Sequence, residues 1–271
     1  MYKVNLLFSP LWIIAATALS ATDADNAVLA LSQQKQLEFR QGDLAVAAPL
    51  VKSLEDAVAK SPDNAKLWEA LGNARMSLQG SLFAGQPDFS KVIEIGEGAR
   101  EAYARSLTLN SHNPLVRSSH GMAALVVAQF KGDGPGMAGG IEEMNAAVRD
   151  APKSTAVRLT RGFTMIHLPP AMRDTRAVIE DLQFIIDAAP GGRPEDVLHV
   201  LLGDVYAEMG DLEAARAEYA LVDGSSAFAA EQVKLRFDDL RKGAVRPESI
   251  GAVRSGTGAR CAMCHAPGTD K

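Results

Sequence analysis

Two helices joined by a tight turn are encoded by residues 201–219, which read LLGDVYAEMGDLEAARAEY. Gly203 has no side chain, so it permits a close approach of the two helices. Gly210-Asp211 ends the first helix and caps the second. Ala215 and Tyr219 are four residues apart and share one face of the second helix. The stretch therefore predicts a helical hairpin.

The pattern Leu202-Gly203-x-x-Tyr206, followed by Ala215 and Tyr219, resembles the tetratricopeptide repeat (TPR) family. In that family a large residue, Leu-Gly and Tyr mark a first helix, and Ala and an aromatic residue mark a second. The resemblance implies an all-α solenoid of helical hairpins. It also implies that the first helices line a concave groove that holds an extended peptide or a helix.

Weaker copies of this signature extend it over most of residues 24–224. The copies are marked by Trp68-x-x-Leu71-Gly72 with Ala99 and Tyr103, by Gly121 with Gly140, Met144 and Ala147, and by Gly162 before Pro169-Pro170. A degenerate unit begins the series, and residues 227–243 form an amphipathic helix that would cap it. Aromatic residues are only 6% of the chain, which also favours helices over sheets. We predict about five hairpins in a TPR-like domain over residues 22–242.

Two of the units are longer than the hairpin of residues 201–219. Extra segments of about 15 and about 7 residues fall around Phe83–Ile95 and Lys131–Gly140, and such insertions usually form loops on one face of a repeat array. The glycine-rich start of the second segment lacks the Gly-Lys-Ser/Thr ending of a phosphate loop and any preceding strand. We therefore predict simple loops at both places.

The proposed alignment predicts which residues line the groove. They are Lys66, Glu69, Asn73 and Met76, then Leu115, Ser118, Met122 and Leu125, then Leu159, Phe163, Ile166 and His167, and finally Val197, Val200, Asp204 and Glu208. The middle of this surface is apolar and its C-terminal end is acidic, so it suits a basic ligand. A register shifted by one residue would make these ordinary core positions instead.

The N-terminus has the features of a secretory signal peptide over residues 1–21. Lys3 precedes a charge-free stretch from Leu6 to Leu19, and small residues follow at Ser20 and Ala21. An uncleaved anchor or a buried helix is the alternative, but the apolar run is short for a membrane span. We predict an exported, periplasmic protein with no membrane span after the signal is removed.

The tail, residues 243–271, carries the sequence Cys261-Ala-Met-Cys264-His265, and these two cysteines are the only ones in the chain. Cys-x-x-Cys-His is the spacing of covalent haem c attachment, in which two thiols add to the vinyl groups and the histidine becomes the proximal iron ligand. We predict one covalent haem c on a mostly irregular tail. A redox disulfide or half of a zinc site would use the same cysteines, but no βαβ pattern or second ligand pair accompanies them.

Only Ala266 to Lys271 follow the motif, and none of these residues is a methionine or histidine. A sixth iron ligand must therefore come from the helical body or from another molecule, or the site stays open. His167 and Met122 on the predicted groove and His120 beside it are the candidate ligands. A bis-histidine site would have a low potential, a Met/His site a higher one, and an open site would bind small molecules.

The charge distribution separates the tail from the body. The net charge of −5 gives no sign of nucleic-acid binding. Residues 241–271 contain six basic and two acidic residues, whereas residues 22–240 are strongly acidic, so the tail could be attracted to acidic surface.

These features predict an exported monohaem c-type cytochrome that carries one electron and is not an enzyme. Its helical repeats would dock onto a protein partner, an oxidoreductase or another cytochrome. The alternative is a periplasmic TPR adaptor or assembly factor, for example in cytochrome maturation, with haem structural or absent. A haem-based sensor with an open iron site is the third hypothesis.

Overall fold

The structure, a computed structural model, describes residues 21–38, 44–82, 88–188 and 193–246. These ranges contain eleven α-helices, a short 3-10 helix at Pro170–Met172 and no strand. The α-helices are α1 (Ala21–Glu38), α2 (Leu44–Lys60), α3 (Ala65–Ser81), α4 (Phe89–Leu109), α5 (Pro114–Lys131), α6 (Gly134–Asp150), α7 (Thr155–Ile166), α8 (Thr175–Ala188), α9 (Arg193–Glu208), α10 (Leu212–Ala220) and α11 (Ala227–Leu240).

Consecutive helices pair as hairpins, α1 with α2 and so on to α9 with α10, and each hairpin packs on the next. Helix α11 packs on α9 and α10 and covers the end of the array. The predicted all-α, TPR-like solenoid of about five hairpins with a capping helix is confirmed. The odd-numbered helices α1 to α9 are its first helices and the even-numbered ones its second helices.

Polar side chains set where many helices begin. Each accepts hydrogen bonds from the free N–H groups of the first turn, which are otherwise unsatisfied. They are Asn64 for α3, Asp88 for α4, Asn113 for α5, Asp133 for α6, Ser154 for α7, Asp211 for α10 and Ser226 for α11. Pro114 adds a preset φ at the start of α5. The short polar turns in the sequence thus divide the chain into helices.

A glycine facing a tyrosine ring joins the two helices in two of the hairpins. A Cβ on Gly72 would lie 2.5 Å from Cε1 of Tyr103, and one on Gly203 would lie 2.4 Å from Cε1 of Tyr219. Both tyrosines are almost fully buried. The tyrosine hydroxyl donates to the residue after the glycine, Asn73 or Asp204, at 2.7 Å in each case. The two hairpins therefore share one packing arrangement despite their low sequence similarity.

A buried ion pair fixes the capping helix to the last hairpin. Arg236 of α11 donates from Nε and Nη2 to the two carboxylate oxygens of Asp204 at 2.7 and 2.9 Å. Both side chains are fully buried. Because Tyr219 donates to the same carboxylate, one group connects α9, α10 and α11.

The two predicted insertion loops are wrong in large part. Helix α6 begins at Gly134, so only Gly132 and Asp133 separate it from α5. Asp133 caps α6, and Met137 in its first turns is buried, which favours helix over loop at this point. In the earlier segment, residues 89–95 belong to α4. The extra residues therefore mainly lengthen helices.

Most of the predicted signal peptide and the tail beyond Arg246 lie outside the described residues, as does the Cys261-x-x-Cys264-His265 motif. Within the described part of the chain, no helix combines the length and apolar character needed to cross a bilayer.

Replacing Gly203 with alanine should destabilise the protein by about 1–3 kcal/mol, because the new methyl group would overlap a tyrosine ring that cannot move freely. The matched control is Gly139→Ala in α6, where a Cβ would meet nothing within 4 Å. That change should stabilise the helix by about 0.5–1 kcal/mol. Urea unfolding followed by circular dichroism measures the free energy of unfolding of both variants. Equal changes in that free energy would contradict the packing argument.

Arg236→Met should cost about 3–5 kcal/mol, because it leaves the Asp204 carboxylate buried without its cation. The double variant Arg236→Met/Asp204→Leu should recover part of that loss, since neither charge is then buried alone. The free energies of unfolding of the two single variants and the double variant test this. A double variant less stable than both single variants would show that the pair is not the source of the cost.

Candidate functional site: a groove along the first helices

Two adjoining cavities run along the first helices on one side of the solenoid. The smaller, about 370 Å³, is lined by Glu69, Asn73, Met76, Ser77, Tyr103, Leu115, Ser119, Met122 and Thr160. The larger, about 510 Å³, is lined by Asn26, Leu29, Ala30, Ser32, Lys66, Glu69, Ala70 and Asn73. Because Glu69 and Asn73 line both, the cavities form one groove that spans α1, α3, α5 and α7.

Asn73 lies at the centre of the groove and is held by Tyr103. The Tyr103 hydroxyl donates to Asn73 Oδ1 at 2.7 Å, and burial raises the pKa of this hydroxyl, so it keeps its proton. With Oδ1 occupied in this way, the amide NH₂ of Asn73 is the group left to donate to a ligand. A fixed side-chain amide of this kind can bind a peptide carbonyl.

Glu69 is the acidic group of the groove. Burial raises the pKa of its carboxyl, and Lys66 and a 3.5 Å hydrogen bond from Asn113 lower it by less. The carboxylate is therefore only partly compensated by its neighbours, and a donor from a ligand would stabilise its charged form.

Ser32 has a buried hydroxyl with no hydrogen-bond partner among the described residues, and it lines the larger cavity. Buried polar groups without partners are rare in folded proteins because they carry the cost of desolvation. The wall of the groove therefore contains one buried hydroxyl, at Ser32, that has no partner among the described residues.

The predicted groove is correct in its first half. Lys66, Glu69, Asn73 and Met76 all line it, as do Leu115 and Met122. Ser118 and Leu125 are buried in α5, and the groove position next to them is Ser119.

The predicted acidic C-terminal end of the groove is wrong. Val197 and Val200 are buried core residues. Asp204 is paired with Arg236, and Glu208 is paired with Arg173, whose side chain is fully buried. Both carboxylates are therefore paired with arginines that hold the fold together, and they do not form the open acidic end that the sequence predicted.

The three candidate sixth ligands lie in different surroundings. Met122 lines the groove and packs against the buried cluster around Leu125. His120 faces α6, where its Nδ1 lies 2.5 Å from Glu143 Oε2. His167 follows the last residue of α7, is exposed, and has its Nδ1 2.6 Å from the Phe163 carbonyl oxygen. Among the described residues, no three His, Cys, Asp or Glu side chains are grouped so as to hold a metal ion.

Sequence reasoning missed the contribution of α1 to the groove, through Ser32. It predicted that α7 lines the groove but did not name Thr160, the α7 residue that lines the smaller cavity. It also missed the Tyr103–Asn73 bond. A signal for that bond was present, because a polar residue follows the first-helix glycine in both units that carry the second-helix tyrosine, at Asn73 and Asp204.

Glu69→Gln should make the protein more stable than wild type at pH 7. The raised pKa means that the folded state holds the Glu69 proton more tightly than the unfolded state, so ionisation of Glu69 weakens the fold. The difference in stability between Glu69→Gln and wild type should become smaller as the pH falls toward about 4, where the carboxyl of the unfolded state also binds its proton. Thermal unfolding between about pH 4.5 and pH 7 measures this, with exposed Glu101→Gln as the control. A less stable Glu69→Gln protein at pH 7 would contradict it.

No family model matches the chain, and no curated protein matches it either. Solved structures do resemble it. A thermophilic TPR protein of Thermus thermophilus, TTC0263, is 14% identical, with a TM-score of 0.55 over 80% of this chain and 99% of that one. The human IFIT1 dimer is 13% identical over 80% of this chain and 57% of that chain, with a TM-score of 0.37 that is too low to carry an argument. The described part of the chain thus has the fold of TPR proteins.

Proposed function

We propose that this protein is an exported monohaem c-type cytochrome that carries one electron and docks onto a protein partner through its helical repeats. The observation that carries the proposal is Cys261-x-x-Cys264-His265, which contains both cysteines of the chain. The predicted signal peptide over residues 1–21 supports it, since haem c attachment takes place on the exported side. The protein is then periplasmic and is a carrier rather than an enzyme.

The donor set fits a covalent haem. Cys261 and Cys264 supply two thiols at the required separation, and His265 supplies an adjacent imidazole. Gly256, Gly258 and Gly268 on either side allow the backbone the conformations that close contact with a flat ligand needs. Haem, when bound, supplies a one-electron change at its iron. The residues of the chain hold and orient the haem.

The groove supports the docking role. Its central amide at Asn73 can bind a backbone carbonyl, and the Glu69 carboxylate can accept from a backbone or side-chain donor. Apolar side chains from Met76, Leu115 and Met122 provide area for burial beside these polar groups. This mixture suits an extended peptide segment of a partner oxidoreductase or cytochrome.

The same groove favours a second candidate function, a periplasmic adaptor or assembly factor. In that role the groove would hold a client segment, for example during cytochrome maturation, and haem would be structural or absent. The two functions differ in whether the tail cysteines carry a group that changes redox state.

Expression with a haem-attachment system should give a protein that keeps haem on a denaturing gel stained for haem, because thioether bonds survive denaturation. Cys261→Ala/Cys264→Ala should remove the stain completely, whereas Met263→Leu, between the two cysteines, should leave it unchanged. Retained haem that is reduced and reoxidised reversibly supports the carrier. Absence of stain in the wild-type protein rejects the carrier and leaves the adaptor.

A further inference from the structure

The smaller cavity of the groove has one charged group among the described residues that line it. That group is the carboxylate of Glu69, and the other lining residues are neutral. Lys66 lies one turn earlier on α3, is exposed, and lines the larger cavity but not the smaller one. The smaller cavity is therefore the part of the groove with a negative local charge.

Within the described part of the chain, Glu69 has little compensation for its charge. Its side-chain hydrogen bond comes from Asn113 Nδ2 to Oε2 and is long, at 3.5 Å. Burial outweighs this bond and the attraction of Lys66, so the pKa of Glu69 is raised. Asp181 and Asp204, which are fully buried, each bind an arginine at 2.7 Å. Glu69 is thus a partly desolvated carboxylate without a cation at contact distance.

A ligand that enters the smaller cavity removes more water from Glu69. An apolar ligand would leave the carboxylate desolvated without a partner, which costs free energy. An anionic ligand would add repulsion to that cost. A cationic group with N–H donors replaces the lost water and pairs with the charge. The cavity therefore selects a cationic group.

The walls of the smaller cavity fit the stem of a long basic side chain. Met76, Leu115 and Met122 line it, and each is half-buried and packs against a cluster of core residues. Lysine and arginine lay an apolar stem along such a surface and keep the charged end beside polar groups. The unbranched methionine side chains adapt to the shape of what they contact. Apolar walls that lead to one carboxylate thus match both parts of a basic side chain.

Asn73 provides a second contact one turn further along α3. Residues four apart share a helix face, so Glu69 and Asn73 lie about 6 Å apart along the helix axis. The Tyr103 hydroxyl donates to Asn73 Oδ1, which leaves the amide NH₂ to donate to a carbonyl. An extended peptide advances about 3.3 Å per residue, so one short segment can supply both the cation and the carbonyl. A free amine would use Glu69 but not Asn73.

We propose that the groove binds an extended segment of the partner protein that carries a lysine or arginine, and that this side chain enters the smaller cavity and pairs with Glu69. The inference rests on the docking part of the proposed function and does not depend on the haem. Asn73 binds a backbone carbonyl of the same segment. Glu69 is then the residue that selects the partner by charge.

A library of random nine-residue peptides with blocked ends, passed over the immobilised full-length protein, tests the proposal. Blocked ends remove the terminal charges, so the bound pool reports side-chain preference. Wild type should enrich lysine and arginine, and Glu69→Gln should lose this enrichment. The control Glu101→Gln, at an exposed position of α4, should keep it. Because Glu69→Gln is expected to be more stable than wild type, its loss of binding would not reflect unfolding.

The most enriched peptide then gives a quantitative test by fluorescence anisotropy. Replacing its basic residue with norleucine, which keeps an apolar stem, should weaken binding to wild type by about 10- to 100-fold. The same replacement should have little effect on binding to Glu69→Gln, because the carboxylate that pairs with the basic residue is gone. An equal loss for both proteins would show that the basic side chain binds elsewhere and would overturn the assignment.

The remaining outcomes separate this inference from the proposed function. Enrichment of apolar or acidic residues by wild type would overturn the inference and keep docking through the groove. No enrichment of any residue would reject docking through the groove together with the inference. Neither result changes whether haem is covalently attached. Absence of covalent haem rejects the carrier function, and the peptide measurements still decide the chemistry of the partner.

Discussion

The close contact between a first-helix glycine and a second-helix tyrosine is the constraint that positions both the groove and the capped end of the solenoid. Gly203 and Gly72 let a tyrosine ring lie against the helix backbone, and the hydroxyl of that ring binds the next residue of the first helix. In one hairpin that residue is Asn73, which the groove uses. In the other it is Asp204, which binds the capping helix through Arg236. The same packing thus positions a residue of the groove in one hairpin and the residue that binds the capping helix in the other.

The helical hairpins could be predicted from the sequence because their signals are local. Glycine spacing, capping residues and the Ala215–Tyr219 face all act within a few turns of helix. The start of α6 could not be predicted in this way. Glycines and a proline at residues 134–136 are typical of a loop, but the Asp133 cap and the burial of Met137 keep them in a helix. Where the local preference for helix was weak, tertiary packing determined that these residues are helical.

The candidate site was predictable only where its residues do not form ion pairs with distant parts of the chain. Lys66, Glu69 and Asn73 line the groove as expected. Asp204 and Glu208 occupy related positions in a later unit but are neutralised by arginines from α11 and from the turn before α8. The sequence contains both arginines, yet nothing in their spacing indicates these long-range partners. A run of charged residues in the sequence therefore predicts a charged surface only when the ion pairs that these residues form with distant parts of the chain are known.

The groove and the start of the tail involve different helices of this molecule. The groove is lined by residues of α1, α3, α5 and α7, whereas Arg246, the last described residue, is bound to Asp239 of α11. A segment seated in the groove therefore contacts helices other than α11. Substitutions in the groove can therefore leave the start of the tail unchanged, and substitutions in α11 can leave the groove unchanged.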